Sequence, residues 1–218
     1  MDNRSVIGLN RSLRRRLTAG SKHLCEVSEP LAAWIETCGR CELKVEWGRS
    51  IYEALVRAIA HQQLHSKAAE SILARMCNAF PKTSFPTEKE IASTSPDQLR
   101  AFGFSQAKVV AIQGIAQASL EKLIPTRTIA EQMSDAELID SLIPLRGVGK
   151  WTVEMILIFT LGRMDVMPVD DFGVKSGLKT LLELEDLPKR QGFAIATDDW
   201  TPYRTIGAWY LWRLADNY

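Results

Sequence analysis

Two adjacent carboxylates, Asp170 and Asp171, stand directly before a segment whose apolar residues recur at helical spacing. Aspartate is a preferred N-cap residue, and the first turn of a helix favours negative charge, so helix capping explains one of the two. Capping does not require the second. The same position also suits catalysis, because a carboxylate near a sugar stabilises the oxocarbenium-like transition state of glycosidic bond cleavage.

A glycine-rich turn, Gly147-Val148-Gly149, precedes a predicted helix that starts at Lys150. Two glycines separated by one residue expose backbone N–H groups just ahead of a helix N-terminus, and this geometry binds anions such as a DNA phosphate. The alternative is a helical hairpin that needs glycine only for close packing. The turn taken alone favours neither interpretation.

The elements that must position these residues are helices. Strand signals are nearly absent and apolar residues recur at helical spacing, which predicts an all-α fold. The nearly continuous apolar segment 151–161 predicts a buried helix that ends at Gly162. Thr201-Pro202 predicts an N-cap followed by proline at the first helical position. Three further helix starts are predicted by serine caps, at Ser95, Ser105 and Ser134.

Composition says little about partners. The chain has 218 residues and a formal net charge of +1, so bulk charge does not indicate nucleic acid binding. A basic run, Arg11, Arg14, Arg15 and Arg16, is either solvated or in contact with phosphate. The sequence has no apolar stretch of about 18 residues and no apolar secretory segment, so we expect no membrane association. The expected location is the cytoplasm or nucleoid in a bacterium and the nucleus in a eukaryote.

Four cysteines, at positions 25, 38, 41 and 77, include one CxxC pair, Cys38 and Cys41. No second pair follows at zinc-ligand spacing, and the sequence lacks the four closely grouped thiolates of an iron–sulfur cluster. We therefore expect ordinary reduced cysteines.

Four segments, in this order and at these spacings, resemble the helix–hairpin–helix, Gly/Pro-Asp superfamily of DNA glycosylases, and within it the alkylpurine (3-methyladenine) branch. They are Gln62–Ala69, Leu145–Thr152, Asp165–Asp171 and Trp200–Arg204, and the similarity runs from about Tyr52 to the C-terminus. The resemblance implies a two-lobed helical fold. Residues 1–50 and 165–218 form one lobe, and residues 51–164 form the other, with the helix–hairpin–helix at about 134–161.

The resemblance also implies roles for single residues. Asp171 matches the catalytic aspartate, and Asp170 matches a neighbour that shapes the turn. Leu64 matches the wedge that fills the gap left by a flipped nucleotide, and His65 matches a residue facing the minor groove. Core packing is the alternative for Leu64, but its polar neighbours favour an exposed loop or helix end.

The hairpin matches the element that grips DNA phosphates, through Gly147, Gly149 and Lys150. In relatives, backbone carbonyls of this hairpin often hold a monovalent cation, Na⁺ or K⁺. The corresponding carbonyls belong to Ile143, Leu145 and Val148. No other cofactor is expected.

The residue at position 151 bears on the type of reaction. In superfamily members that also cut the backbone, a lysine two residues after the second hairpin glycine attacks C1′. That position is Trp151 here, and Lys150 is rotated from it by about 100° on a helix. We therefore expect hydrolysis by water, without AP-lyase activity.

The base pocket is expected to contain Trp151, Met155 and Trp200. Alkylation at N3 or N7 gives a purine a positive charge, and a cationic base stacks on an indole with about 1–2 kcal/mol of cation–π attraction. The alternative is that both tryptophans are core residues, as Trp34, Trp209 and Trp212 can be. Met155 stands where some relatives have an aromatic residue, which leaves the range of lesions open.

The sequence therefore predicts a monofunctional alkylpurine glycosylase that flips the damaged base of double-stranded DNA and acts as a monomer. Three alternatives remain. The chain could be a non-catalytic helix–hairpin–helix module that binds damaged or abasic DNA, with the aspartates as helix caps. It could be a glycosylase for oxidised or deaminated bases, or a helical scaffold without a nucleic acid role.

Overall fold

The computed structural model describes residues 3–216, with side chains described from residue 6 onward except at position 66. In this range the regular elements are helices and no strand occurs, which confirms the all-α prediction. In chain order, α1 to α13 are Asn3–Val27, Glu29–Cys38, Ile51–His61, Ser66–Ala79, Glu88–Ser93, Pro96–Ala101, Gln106–Leu120, Arg127–Gln132, Asp135–Leu142, Lys150–Phe159, Phe172–Leu181, Arg190–Ala196 and Arg204–Ala215. A short 3-10 helix, Asp198–Trp200, precedes α13. No helix among the described residues is both long and apolar enough to cross a membrane.

Hydroxyl side chains begin many of these helices by accepting a bond from a backbone N–H of the first turn. Ser95 and Ser105 do so at the starts of α6 and α7. Ser134 forms a reciprocal capping box with Glu137 at the start of α9. The three predicted serine caps are thus confirmed, and each fixes where a helix enters its unit.

The chain divides into two compact units. The terminal unit comprises the described parts of Met1–Gly48 and Leu157–Tyr218, and the central unit comprises Arg49–Ile156. The predicted lobes had boundaries after residues 50 and 164. The first boundary lies two residues earlier in the structure, and the second lies inside α10 rather than beyond its end.

In the central unit, α3 and α7 supply a core of fully buried aliphatic side chains, which includes Leu55, Ile59, Val109 and Ile112. The turn after α9 lies against this core. A Cβ atom on Gly147 would stand 3.2 Å from the Cβ of Ala111, so glycine permits the close approach. The contact with this core thereby fixes the position of the glycine turn within the central unit.

In the terminal unit, α11 packs against α13 with almost no space between their backbones. A Cβ atom on Gly177 would clash with the carbonyl group of Leu211, so glycine is required at this crossing. The close packing sets the start of α11, with Asp171, beside Trp212 of α13. The crossing of these two helices thereby positions Asp171, the candidate catalytic residue.

The predicted start of the last helix was wrong. A cis peptide joins Thr201 to Pro202, and α13 begins at Arg204. Its first amides are satisfied from elsewhere in the terminal unit, since Arg204 N–H donates to Asp165 Oδ1 at 3.3 Å and Thr205 N–H donates to the Met164 carbonyl at 2.9 Å. A local cap from Thr201 is therefore not needed.

The predicted helix after Trp151 is confirmed, and it ends close to the expected glycine. Helix α10 ends at Phe159, and Gly162 follows with a φ of +67°, in the left-handed region that favours glycine.

Candidate active site and nucleic-acid interface

Asp171 is the N-cap residue of α11, and one oxygen of its carboxylate accepts two hydrogen bonds. Oδ1 accepts from Val174 N–H at 2.8 Å and from the indole Nε1–H of Trp212 at 2.8 Å. The side chain is half-buried. The helix N-terminus and the two donors hold a negative charge in a fixed orientation. Capping and catalysis are thus compatible in one residue.

The sequence reasoning missed Trp212 as a partner of the candidate carboxylate, since it grouped this residue with the core tryptophans. Its ring stacks on Phe159 with centroids 5.7 Å apart and an interplanar angle of 30°. Gly173 leaves room for the indole, because a Cβ there would stand 2.9 Å from Trp212 Cδ1. The available signal was chemical: a partly buried indole N–H needs an acceptor, and the paired aspartates are candidates.

Phe172 was also missed. This phenylalanine directly follows Asp171 and is 73% exposed, which is unusual for a large aromatic side chain at a helix start. An exposed aromatic ring next to the candidate carboxylate offers a surface for a base or a sugar.

Asp170 has a separate set of partners. Its Oδ2 pairs with Arg190 Nη2 at 2.7 Å, and its Oδ1 lies 3.7 Å from Lys175 Nζ. These two ion pairs hold the turn before α11 against α12 and against α11 itself. The predicted turn-shaping role stays a prediction, and the contacts supply a physical means for it.

Both glycines of the hairpin between α9 and α10 are exposed to solvent, although Gly147 also lies against the core of the central unit. Leu145 N–H donates to the Leu142 carbonyl at 3.1 Å, and Val148 N–H donates to the Leu145 carbonyl at 3.0 Å. Val148 is buried at 5% exposure, whereas Gly147, Gly149 and Lys150 are exposed. Gly147 has a φ of +81°. An exposed turn just ahead of a helix N-terminus can accept an approaching phosphate, as the residue pattern predicts.

The three carbonyls expected to hold a monovalent cation belong to this turn. The Leu145 carbonyl accepts the Val148 amide and keeps its second lone pair for another partner. Ile143 is 44% exposed, so the edge of the turn is open to solvent. Oxygen ligands at an open turn fit a hard monovalent ion, and the cation stays a prediction.

The loop between α3 and α4 is attached to the hairpin within the central unit. Gln62 Nε2 donates to the Gly147 carbonyl at 3.0 Å and to Thr152 Oγ1 at 3.3 Å. Lys108 Nζ donates to the Ala60 and Gln62 carbonyls at 2.8 and 2.7 Å. Burial lowers the pKa of the Lys108 amine below its ordinary value. We call residues 62–65 the wedge loop.

The wedge loop exposes the two residues that the resemblance singled out. Leu64 is 41% exposed and His65 is exposed at the N-cap of α4. Gln63 has a φ of +55°. The expectation of an exposed loop for Leu64 is confirmed, and core packing is excluded for it. Its insertion into DNA and the contact of His65 with the minor groove stay predictions.

Three of the predicted site residues, Lys150, Trp151 and Met155, lie on the first two turns of α10. Lys150 Nζ lies 3.3 Å from Glu154 Oε1, an almost completely buried carboxylate, while the lysine side chain remains 51% exposed. Trp151 and Met155 are half-buried and, four residues apart, share one face of the helix. They remain candidates for one wall of a base pocket.

Trp200 lies in the core of the terminal unit. Its side chain is 2% exposed, and the indole packs directly on Gly207 of α13, where a Cβ atom would clash with the ring. This burial favours the core interpretation over the base pocket, because no face of the ring is left for a base. Its neighbours, Thr201 to Arg204, turn the chain into α13.

The four cysteines form no disulfide among the described residues. All four are free, and burial raises the pKa of the Cys41 thiol to about 12. Among residues 3–216 no group of three or more His, Cys, Asp or Glu side chains could hold a metal ion.

Comparison with known proteins identifies the family to which these features belong. The profile of a family described as "HhH-GPD superfamily base excision DNA repair protein" matches residues 56–202. DNA-3-methyladenine glycosylase 1 of Schizosaccharomyces pombe is 44% identical over 162 residues, which are 74% of this chain and 71% of that protein. An alkylbase DNA glycosidase-like protein of the same yeast is 38% identical over 194 residues, which are 88% of this chain and 91% of that protein.

A solved structure shows the same fold. The 3-methyladenine DNA glycosylase of Schizosaccharomyces pombe in complex with abasic DNA has a TM-score of 0.82 and 38% identity, with 89% of this chain and 95% of that chain covered. A DNA-3-methyladenine glycosidase from Bacillus halodurans has a TM-score of 0.78 and 27% identity, with 90% and 88% covered.

Proposed function

Because this chain belongs to the HhH-GPD superfamily of base excision DNA repair proteins, we propose that it is a DNA glycosylase that removes alkylated purines, 3-methyladenine among them, from double-stranded DNA. The observation that carries the proposal is the Asp171 carboxylate, held at the start of α11 by the Val174 and Trp212 N–H groups. The names of the relatives support the same substrate class. They also favour an enzyme over a non-catalytic DNA-binding module.

The chemistry follows from the charge on the damaged base. The bond between C1′ and the purine nitrogen breaks, and its electron pair neutralises the cationic base, so no strong general acid is required. The sugar becomes an oxocarbenium-like cation, which the carboxylate of Asp171 stabilises by its opposite charge. Water then adds to C1′ and loses a proton, with the carboxylate as the acceptor.

Binding precedes this step. In the proposal, the exposed hairpin grips phosphates through Gly147, Gly149 and Lys150, and Leu64 fills the gap left by the extruded nucleotide. Trp151 and Met155 contact the base. A carbonyl-bound Na⁺ or K⁺ at the hairpin would add a positive charge facing the phosphates. The protein acts as a monomer, and its exposed large apolar side chains, which come from many separate elements, support this.

A substitution pair separates the charge of Asp171 from its capping role. Asp171→Asn keeps an oxygen that can accept from Val174 and Trp212, so we expect a folded protein and a loss of at least about 100-fold in the rate of 3-methyladenine release. Asp171→Ala removes the cap as well and costs about 1 kcal/mol of stability in addition. Base release from methylated DNA and thermal unfolding measure the two effects. Full activity in Asp171→Asn would contradict the assignment.

We further propose that the enzyme lacks AP-lyase activity. The position from which relatives use a lysine nucleophile is Trp151, and the neighbouring Lys150 pairs with Glu154. Borohydride trapping on damaged DNA should therefore give no covalent enzyme–DNA adduct under conditions in which free base is released. A trapped adduct would require an amine nucleophile in the protein and would overturn this proposal.

A further inference from the structure

Helix α1 concentrates positive charge that the proposed function does not use. Six basic residues stand in this helix against one acidic residue, Glu26, which gives it a formal charge of +5 in a chain whose total is +1. The remainder of the chain is therefore net acidic. Four of the six, Arg11, Arg14, Arg15 and Arg16, lie within two helical turns, and we call them the arginine face.

The arginine face is turned to solvent by the packing of the helix. The leucines at positions 13 and 17 are each 5% exposed and Leu24 is fully buried, so the apolar side of α1 lies in the core of the terminal unit. All four arginines are exposed. Arg11 and Arg15 are one turn apart on the side opposite the leucines. The helix is about 37 Å long at 1.5 Å per residue, which gives an extended charged surface.

Among the described residues, these arginines have no partner for their charge. Over the described part of the chain, no carboxylate forms an ion pair with any of the four. The acidic residue of the helix, Glu26, pairs instead with Lys22, at 3.8 Å. Like charges one turn apart destabilise a helix, as at Arg11 and Arg15. An anionic ligand would relieve this repulsion.

We propose that the arginine face binds DNA phosphates as a second, sequence-independent contact, separate from the hairpin. Arginine binds phosphate oxygens through two parallel N–H groups, and Arg11 and Arg15, one turn apart on the solvent side with Arg14 and Arg16 on either flank, can reach neighbouring phosphates. The inference rests on the proposed action on DNA. The arrangement of the hairpin and of Asp171 does not by itself require this second DNA contact.

Two other anionic surfaces fit the helix less well. A helix that lies on a membrane inserts its apolar side, but the apolar side of α1 is already buried by its own unit. A protein interface has an apolar or aromatic centre, but the exposed residues between positions 11 and 22 are arginine, lysine, serine, threonine and alanine. Binding to phosphates requires neither an exposed apolar side nor an apolar centre.

Salt dependence tests the proposal. The affinity of the full chain for an undamaged duplex is measured between about 50 and 200 mM salt. The slope of log K against log salt, taken as its magnitude, falls by about 0.9 for each phosphate that the protein ceases to neutralise. The variant Arg11→Gln/Arg15→Gln should lower the slope by about 1.8. Replacing all four arginines with glutamine should lower it further. Glutamine keeps helix propensity, and thermal unfolding should show no loss of stability.

The matched control is Lys82→Gln/Lys89→Gln, which removes the same charge from exposed positions of the central unit. It should leave the slope and the rate of base release unchanged. An equal fall in the control, or no fall in the arginine variants, overturns the inference. Equal binding to phosphatidylserine vesicles that disappears in the same variants would also overturn it in favour of a membrane.

Base release by the unmodified chain separates this inference from the proposed function. Release of 3-methyladenine with an unchanged slope in the arginine variants refutes the arginine face and leaves the glycosylase assignment intact. A lowered slope without any base release refutes the glycosylase assignment and supports the DNA contact.

Discussion

Asp171 carries two tasks on one oxygen. Its Oδ1 closes the first turn of α11 and at the same time accepts the Trp212 indole N–H. Each bond to a charged acceptor is worth about 1.5–3 kcal/mol, so the orientation of the carboxylate is strongly held. A carboxylate fixed before the reaction costs no reorganisation when the sugar becomes cationic. In the proposed mechanism Trp212 is a positioning residue, because its indole acts through Asp171.

Replacing Trp212 with phenylalanine removes the N–H group and keeps an aromatic ring against Phe159. We expect the rate of base release to fall about 10- to 100-fold, the kinetic equivalent of one charged hydrogen bond. Single-turnover release of 3-methyladenine measures this rate. Trp209→Phe is the control, since Trp209 lies on the same helix and contacts Tyr210 and Arg213. Equal losses in both variants would mean that the loss comes from helix packing.

The aspartate could be predicted from the sequence, whereas its partner could not. Asp171 precedes a helical pattern and falls in a recognisable motif, so local information is sufficient. Trp212 lies 41 residues further along the chain, and only the close crossing of α11 and α13 at Gly177 brings the two together. Trp200 shows the opposite case, because its type and neighbours suited a base pocket but its unit buries it.

At the scale of elements, the two glycines of the helix–hairpin–helix have different surroundings. Gly147 adopts a φ of +81°, and a side chain there would approach Ala111 and Ile59 within 3.2 and 3.3 Å. Gly149 has nothing within 4 Å of an added Cβ. The first glycine thus serves the fold. At the second glycine the fold leaves room for a side chain, so packing does not explain glycine there, and we expect a ligand to approach this backbone closely.

Alanine substitutions at the two glycines should therefore separate stability from binding. Gly147→Ala should cost about 1–2 kcal/mol of unfolding free energy because of the left-handed backbone. Gly149→Ala should leave stability within about 0.5 kcal/mol and weaken DNA binding about tenfold, because a methyl group would hold the phosphate away. Urea unfolding and a DNA titration give the two values. Unimpaired DNA binding by Gly149→Ala would show that the phosphate does not approach this backbone.

The same pair shows what the pattern alone could give. The spacing of the glycines predicted an anion-binding turn or a packed hairpin, and the residues could not choose between them. In the structure both glycines are exposed, but only Gly147 also packs against the core. This division depends on α3 and α7, which stand against the turn and are distant in sequence.

At the scale of the whole molecule, the terminal unit is built from two stretches of chain that are far apart in sequence. Asp165 and Arg204 connect the end of the α10 region to α13 through bonds of 2.7 and 2.8 Å. Burial alone would raise the pKa of Asp165, but the hydrogen bonds and charge of Arg204 outweigh it and lower that pKa below its ordinary value. The Asp165–Arg204 ion pair therefore makes the free energy of unfolding depend on pH.

The direction of this pH dependence is fixed by the lowered pKa. The contribution of Asp165 is fully present above the unfolded-state pKa of about 3.9 and is lost as the pH falls through the folded-state pKa. Asp165→Asn should therefore be less stable than the unmodified chain at pH 7, and the difference should shrink below about pH 4. Urea unfolding at both pH values measures it. A difference that stays constant with pH would mean that ionisation of Asp165 contributes nothing.

The bond from Gln62 to the hairpin has a consequence for how lesions are found. Because the wedge loop and the hairpin are joined within one unit, we expect them to move together. In the proposed complex, Leu64 would then press on the duplex at a fixed distance from the phosphates bound by the hairpin, and it would enter wherever base stacking is weak, at an abasic site as well as at a damaged base. Recognition of the damaged base itself would depend on the residues that contact it and on Asp171. The enzyme should therefore stay on its product and shield the reactive sugar until the next repair step removes it.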